Sequence, residues 1–189
     1  MTFRHALMPG SYDPPTLGHL ALLKRALTLA DRVTLCAMVN PSKHTRFSLS
    51  EREALLRAAT EEIPAAGVCA SEGTQPQVCR ALGCDVIVKG YRDEADLAYE
   101  IDILREWALA NRTVYTYYLY GEDGNPVCHT VGREGETKTD VPPTLLLPCD
   151  PAYREISSTA ARRAMDRGCD LSALLPPAVI RALAEHNQP

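Results

Sequence analysis

Residues 6–30 read ALMPGSYDPPTLGHLALLKRALTLA, and the order of patterns inside this stretch decides the fold class. A short apolar run, Ala6-Leu7-Met8, stops at the turn-forming pair Pro9-Gly10. Beyond the turn, Leu20, Leu23, Leu27 and Ala30 recur at helical spacing and predict a helix over 17–30. A buried strand that leads through a glycine-containing turn into a helix is the opening unit of an α/β protein.

The rest of the chain repeats that unit. Val33 to Val39 is a continuous apolar run ended by Asn40-Pro41, as expected of a buried strand. Ser48 and Glu51 have the spacing of a capping box and start a helix running to about 62. A short strand over 67–70, a helix over 76–82 closed by Gly83, and a strand over 85–88 follow. Lys89-Gly90 reads as a turn, with a long helix beyond it over 94–111. Strands that are apolar throughout, alternating with helices, predict a doubly wound parallel sheet of five strands, the fifth being Thr144 to Leu147. Helices over 158–167 and 176–185 complete it. Residues 113–140 break the rhythm. Val114 to Tyr120 is rich in β formers, GEDGNP at 121–126 is a turn signal, and 127–131 returns. This segment reads as an added β-hairpin followed by a polar loop over 132–139, a surface elaboration of one domain spanning 1–189.

Ligands of such sheets bind beyond the carboxyl ends of the strands, and four anion-friendly groups fall there. The first is the loop at 9–19, where Gly10 permits an open turn and Ser11 offers a hydroxyl. Gly18 leaves room for a phosphate against the first helical turn, and His19 can donate to a phosphate oxygen. The second is NPSKHTRF at 40–47, with Lys43 placed to meet an acceptor's phosphate or the reacting one, and His44 and Arg46 adding positive potential. Third is Lys89-Gly90-Tyr91-Arg92, with Asp96, Tyr99 and Glu100 on the helix beyond. Fourth is Ile156-Ser157-Ser158-Thr159, hydroxyls stacked at a helix start. Each group taken singly is also what a capped helix or a solvated loop would show. Four together at one sheet edge predict a single positively lined cleft for a nucleotide's phosphates.

Composition sets limits. The chain has 189 residues, 46% apolar and 23% charged, with a net charge of −4, which argues against sequence-blind nucleic-acid binding. No run of eighteen apolar residues predicts a membrane span, and the first residues are too weakly apolar for a signal peptide. The seven cysteines (36, 69, 79, 84, 128, 149 and 169) form no CxxC pair and read as buried, reduced thiols of a cytoplasmic protein. Cys128-His129 is too weak a pattern to predict a metal ligand set, so no metal-ligating residues are expected.

The chain resembles the bacterial phosphopantetheine adenylyltransferases, members of the nucleotidyltransferase superfamily whose signature is (H/T)xGH. PGSYDPPTLGH at 9–19, NPSK and RFSLSER within 40–52, and GCDVIVKGYRDEADLAYE at 83–100 carry the likeness, with ISSTAARRAM at 156–165 and GCDLSALLPPAV at 168–179. The resemblance implies a Rossmann-like fold and transfer of the adenylyl group of ATP to 4'-phosphopantetheine, with magnesium accompanying ATP. It implies ATP contacts from Ser11, Tyr12, His19, Gly90, Tyr91, Arg92, Glu100 and Tyr153, and from Ile156, Ser157, Ser158 and Thr159. Ser11, Lys43, Gln75 and Lys89 would hold the acceptor, and His19, Lys43 and Arg92 would serve the transition state. A cytoplasmic homo-oligomer, usually a hexamer, is also implied. Three positions depart from the family pattern: Lys89 stands in place of an arginine, Gly73-Thr74-Gln75-Pro76 in place of an apolar pair, and Trp107 in place of an asparagine. A nicotinate mononucleotide adenylyltransferase, a cytidylyltransferase and a non-catalytic nucleotide sensor are the competing readings.

Overall fold

The structure is a computed structural model that describes residues 2–120, 125–133 and 135–186. Strands β1 (Phe3–Gly10), β2 (Ala30–Met38), β3 (Ala66–Ser71) and β4 (Val86–Tyr91) alternate with helices α1 (Leu17–Ala26), α2 (Leu49–Thr60) and α3 (Gln75–Leu82). Helix α4 (Glu94–Ala110) is followed by β5 (Thr113–Tyr120), β6 (Pro126–Val131), the two-residue β7 (Thr137–Lys138) and β8 (Thr144–Pro148). A 3-10 turn at Pro151–Tyr153 precedes α5 (Ser158–Asp166) and α6 (Pro177–His186).

Local chemistry sets most of these boundaries. Thr16, Ser48 and Thr74 each cap their helix through a reciprocal capping box. Gly83 closes α3 at φ 64, a conformation that costs glycine little. Pro9 and Gly10, expected as a turn, are still paired with Cys36 and Ala37 inside β1, and further boundaries also differ from expectation. Helix α1 stops at Ala26, because Ala30 already pairs with Phe3 as the first residue of β2. Lys89 and Gly90 are no turn: they pair with Leu146 and Leu147 inside β4.

The sheet runs in the order β3-β2-β1-β4-β8-β5-β6, with β7 beside β5. The five expected strands form the contiguous parallel run β3-β2-β1-β4-β8. Residues of β1 point alternately to the two faces. Ala6 and Met8 join Leu23 and Ala26 of α1 and Leu56 of α2, and Leu7 joins Val78 and Cys79 of α3. Cys36 and Cys69 are register partners on β2 and β3 and share that second cluster with Cys79 and Cys84. Cys128 and Cys169 are exposed, so burial does not extend to every thiol.

The segment 113–140 is a hairpin, but it is no separate flap. Strand β5 lies parallel to β8 through Tyr117–Thr144, Tyr118–Leu145 and Leu119–Leu146, and β6 pairs antiparallel to it. The reason is that β5 is apolar on both faces. Tyr115 and Tyr117 are buried with Leu104 and Ala108 of α4, while Tyr118 and Tyr120 pack on the main core. A strand of that kind is buried best beside another strand. Residues 121–124 of the expected turn lie outside the described residues. His129 stacks on Tyr117 with ring centroids 5.1 Å apart, which gives that imidazole a packing role.

Chain direction reverses its course across the sheet between β1 and β4, the neighbours from which β2-β3 and β8-β5 spread in opposite directions. A crevice is expected at this switch point, beyond Gly10 and Tyr91.

Candidate active site

A cleft of about 1220 Å³ opens there, lined among others by Ser11, His19, Lys43, Gln75, Lys89, Arg92 and Ser157 to Thr159. All four sequence groups reach it.

The loop after β1 is buried and bonded to its own strand. Tyr12 is the left-handed residue of the turn (φ 50), it is 2% exposed, and its hydroxyl donates to the Met8 carbonyl at 2.7 Å. Its ring lies over Gly10, where a Cβ would come within 2.9 Å of it, so glycine is needed there for close approach and the turn itself is made at Tyr12. The same ring meets His19 edge-on with centroids 4.9 Å apart. Gly18 is different: a Cβ there would meet protein atoms only at ordinary contact distance, the nearest being the Ile156 carbonyl at 3.5 Å.

His19 is fixed by Thr16. The Thr16 N–H donates to His19 Nδ1 at 3.0 Å, the Thr16 hydroxyl lies 2.9 Å from the same nitrogen, and the His19 N–H points back to that hydroxyl at 3.4 Å. A nitrogen that accepts from a backbone N–H carries no proton, so the neutral ring bears its proton on Nε2. Desolvation by burial pushes the imidazole down to about 4, which keeps it neutral at ordinary pH. The site thus presents a neutral N–H donor on the first turn of a helix, aimed by its other nitrogen.

Two buried charges brace the loops, and neither was assigned a role from sequence. Asp13, 2% exposed, accepts from the Arg46 N–H (3.0 Å) and the Phe47 N–H (2.9 Å) and from Arg162 Nη1 (3.0 Å). Arg52, also 2% exposed, donates to the Ser11 carbonyl (2.6 Å) and the Met38 carbonyl (2.9 Å), tying the ends of β1 and β2. Their only sequence signal was membership of the quoted motifs PGSYDPPTLGH and RFSLSER. A Ser158 hydroxyl bond to the Pro14 carbonyl (2.8 Å) seats α5 against the first loop.

The expectation of a positively lined cleft needs correction. Four basic side chains (Lys43, Lys89, Arg92, Arg162) are matched by four acidic ones (Asp13, Glu72, Asp96, Glu100). Lys89 Nζ bonds Glu100 at 2.6 Å, and Arg92 grips Asp96 through two bonds of 2.7 and 3.1 Å. Hydrogen bonding from Arg92 holds the Asp96 carboxyl below its usual range. Lys43 is the cleft lysine with no ion pair among the described residues. Tyr91 and Tyr153 do not line the cleft. Tyr91 packs with Leu104 and Tyr115, while the Tyr153 carbonyl accepts from the Ile156 N–H. Ser11, Gly90, Glu100 and Ile156 do line it. Cys149 lies at its wall, where burial pushes the thiol up and away from the reactive thiolate.

Residues 7–164 match the Cytidylyltransferase-like family. The chain is also 33% identical to a protein of Micrococcus luteus named phosphopantetheine adenylyltransferase, covering 95% of this chain and 97% of that one. The chain is a member of the phosphopantetheine adenylyltransferase family. Proteins of the same name from Corynebacterium diphtheriae (35% identical; 96% and 97% covered) and Symbiobacterium thermophilum (33%; 95% and 94%) extend the likeness. At the positions where this chain departs from the family pattern the structure separates two cases. Lys89 and Gln75 stand in the cleft wall, whereas Trp107 turns to Tyr115 with ring centroids 5.4 Å apart and does not line the cleft. None of the described residues of 113–140 lines the cleft either.

Among the described residues no group of three or more His, Cys, Asp or Glu could hold a metal ion. Magnesium fits such a site as an ion carried on the phosphates of a nucleotide, since it keeps most of its waters and takes phosphate oxygens readily.

Proposed function

We propose that this chain transfers the adenylyl group of ATP to 4'-phosphopantetheine, giving dephospho-coenzyme A and pyrophosphate. The observation that carries the reading is the single cleft that unites His19, Lys43, Lys89, Arg92 and the α5 start. A phosphate oxygen of the acceptor attacks the α-phosphorus of ATP, and the bond from that phosphorus to the bridging oxygen of pyrophosphate breaks on the opposite side. No protein nucleophile takes part; the residues align the reactants and offset charge. The Nε2–H of His19 donates to a non-bridging oxygen of the α-phosphate, where negative charge grows in the transition state. Being neutral and fixed by Thr16, it neither loses its proton nor reorganises during the step. Ser157 to Thr159 and the N–H groups of the α5 start receive phosphate oxygens. Lys43 and Lys89 take the acceptor's phosphate, with Ser11 and Gln75 beside it. Arg92 receives the nucleotide's phosphates while Asp96 keeps its guanidinium in one plane. Magnesium on the triphosphate supplies the charge neutralisation that the paired cations of the cleft do not. A homo-oligomer, taken as a hexamer, in the cytoplasm belongs to the same reading and rests on family resemblance.

The test is pyrophosphate release with ATP and each of two acceptors. Turnover with phosphopantetheine and none with nicotinate mononucleotide is expected. The reverse result overturns the acceptor and leaves the superfamily chemistry in place.

A further inference from the structure

The loop that carries Lys43 is exposed from Pro41 to Arg46, yet it is anchored at both ends by buried charge. At its start Arg52 donates to the Met38 carbonyl. At its end two consecutive backbone N–H groups, those of Arg46 and Phe47, converge on the Asp13 carboxylate. Both oxygens of that carboxylate are used, because Oδ2 also receives Arg162 from α5 at 3.0 Å. We infer that Asp13 is a positioning residue for the transfer: it sets the Lys43 loop against His19, whose helix follows it after Pro14, Pro15 and the N-cap Thr16.

A charge 2% exposed is costly to bury unless hydrogen bonds satisfy it, and here three donors from two distant segments do so. An ionised carboxylate is acceptor-only, which is what three converging N–H donors require. An asparagine at 13 has the same shape, but the Arg46 N–H is shared by both carboxylate oxygens and so meets an NH2 group whichever way the amide is rotated. The two segments would not suffer equally. Helix α5 keeps a second tether, the Ser158 hydroxyl on the Pro14 carbonyl. Both N–H groups of the loop end go to Asp13, and among the described residues they have no second acceptor. Loss of the carboxylate therefore frees Lys43 more than it frees the Ser157 to Thr159 turn.

The experiment compares the wild type, Asp13→Asn, Lys43→Ala and the double variant. Trypsin cleavage after Lys43 and Arg46, followed by mass spectrometry without substrate, should be faster in Asp13→Asn by about 10-fold or more, as the local opening free energy falls. With phosphopantetheine its KM should rise about 10-fold or more, the effect of losing one charged contact. Affinity for a non-hydrolysable ATP analogue should change less than about 3-fold, within the usual scatter of a retained site. In the double variant the KM should be no worse than in Lys43→Ala alone, because the carboxylate acts through that lysine. A folded Asp13→Asn protein with an unchanged loop cleavage rate overturns the inference, as does a KM effect additive with that of Lys43→Ala. The KM arm rests on the function proposed above; the proteolysis arm does not, so a wild type that refuses phosphopantetheine sinks that function while cleavage still judges Asp13. Should Asp13→Asn fail to fold, the wild type decides. Its Arg46 and Phe47 amides, both bonded to the carboxylate, should exchange at least about 100-fold more slowly than those of His44 and Thr45; equal rates overturn the assignment.

Discussion

The loops after β1 and after β2 both line the cleft and are built in opposite ways. Residues 12–16 are buried throughout, and the His19 ring behind them is oriented by Thr16 and Tyr12. Residues 41–46 are exposed throughout, and Lys43 projects from them with no ion pair among the described residues. The two loops divide the labour. A donor to a transition state is effective only if it needs no reorganisation at the moment of reaction. A cation that meets an incoming substrate can act from a solvated loop, at the cost of ordering a long side chain when the substrate binds.

The largest effect should come from the buried side. His19→Ala is expected to lower turnover on the order of 10²–10³-fold, as for other lost transition-state donors. Binding of a non-hydrolysable ATP analogue should stay within a few-fold of wild type. A variant with near-normal turnover would remove the distinction between the two loops.

Lys43→Ala should act on the other side, raising the acceptor KM by about 10-fold to 100-fold, since a charged contact contributes about 1.5–3 kcal/mol. Because the loop is exposed, the effect should shrink as ionic strength rises, and KM at low and high salt checks this. Salt-independence would mean that Lys43 is desolvated when the acceptor binds, which would make the contrast one of timing only.

The smallest expected effect is an absence. With the imidazole held at about 4 against an ordinary value of 6.5, turnover should show no inflection near 6.5 attributable to His19. Stability carries the corresponding signature. The unfolded chain takes up a proton as pH falls through 6.5 that the folded chain refuses until about 4, so folding weakens across that window. Denaturant titrations at several pH values should show a shallower slope in His19→Ala. Burial lowers His5 in the same direction, so part of the slope should persist.

How far the sequence reached is clearest at the two walls of the cleft. The order of strands and helices, the capping box at Ser48, and the position of the four groups near strand ends were legible, because periodicity and capping are properties of residues a few positions apart. Lys89-Gly90 misled for the same reason: a glycine next to a lysine looks locally like a turn, and only pairing with β8 keeps both residues in the strand.

Local pattern by itself determined that this chain would place histidine, lysines, an arginine and stacked hydroxyls at one edge of a parallel sheet. Only the tertiary structure decided which charges meet. Asp13 joins Phe47, 34 positions away, and Arg162, 149 positions away; Lys89 is spoken for by Glu100; and β5 lies beside β8. The physical reason is that an ion pair or a strand pairing depends on distance in space, which the topology sets, whereas the signals in a sequence report distance along the chain.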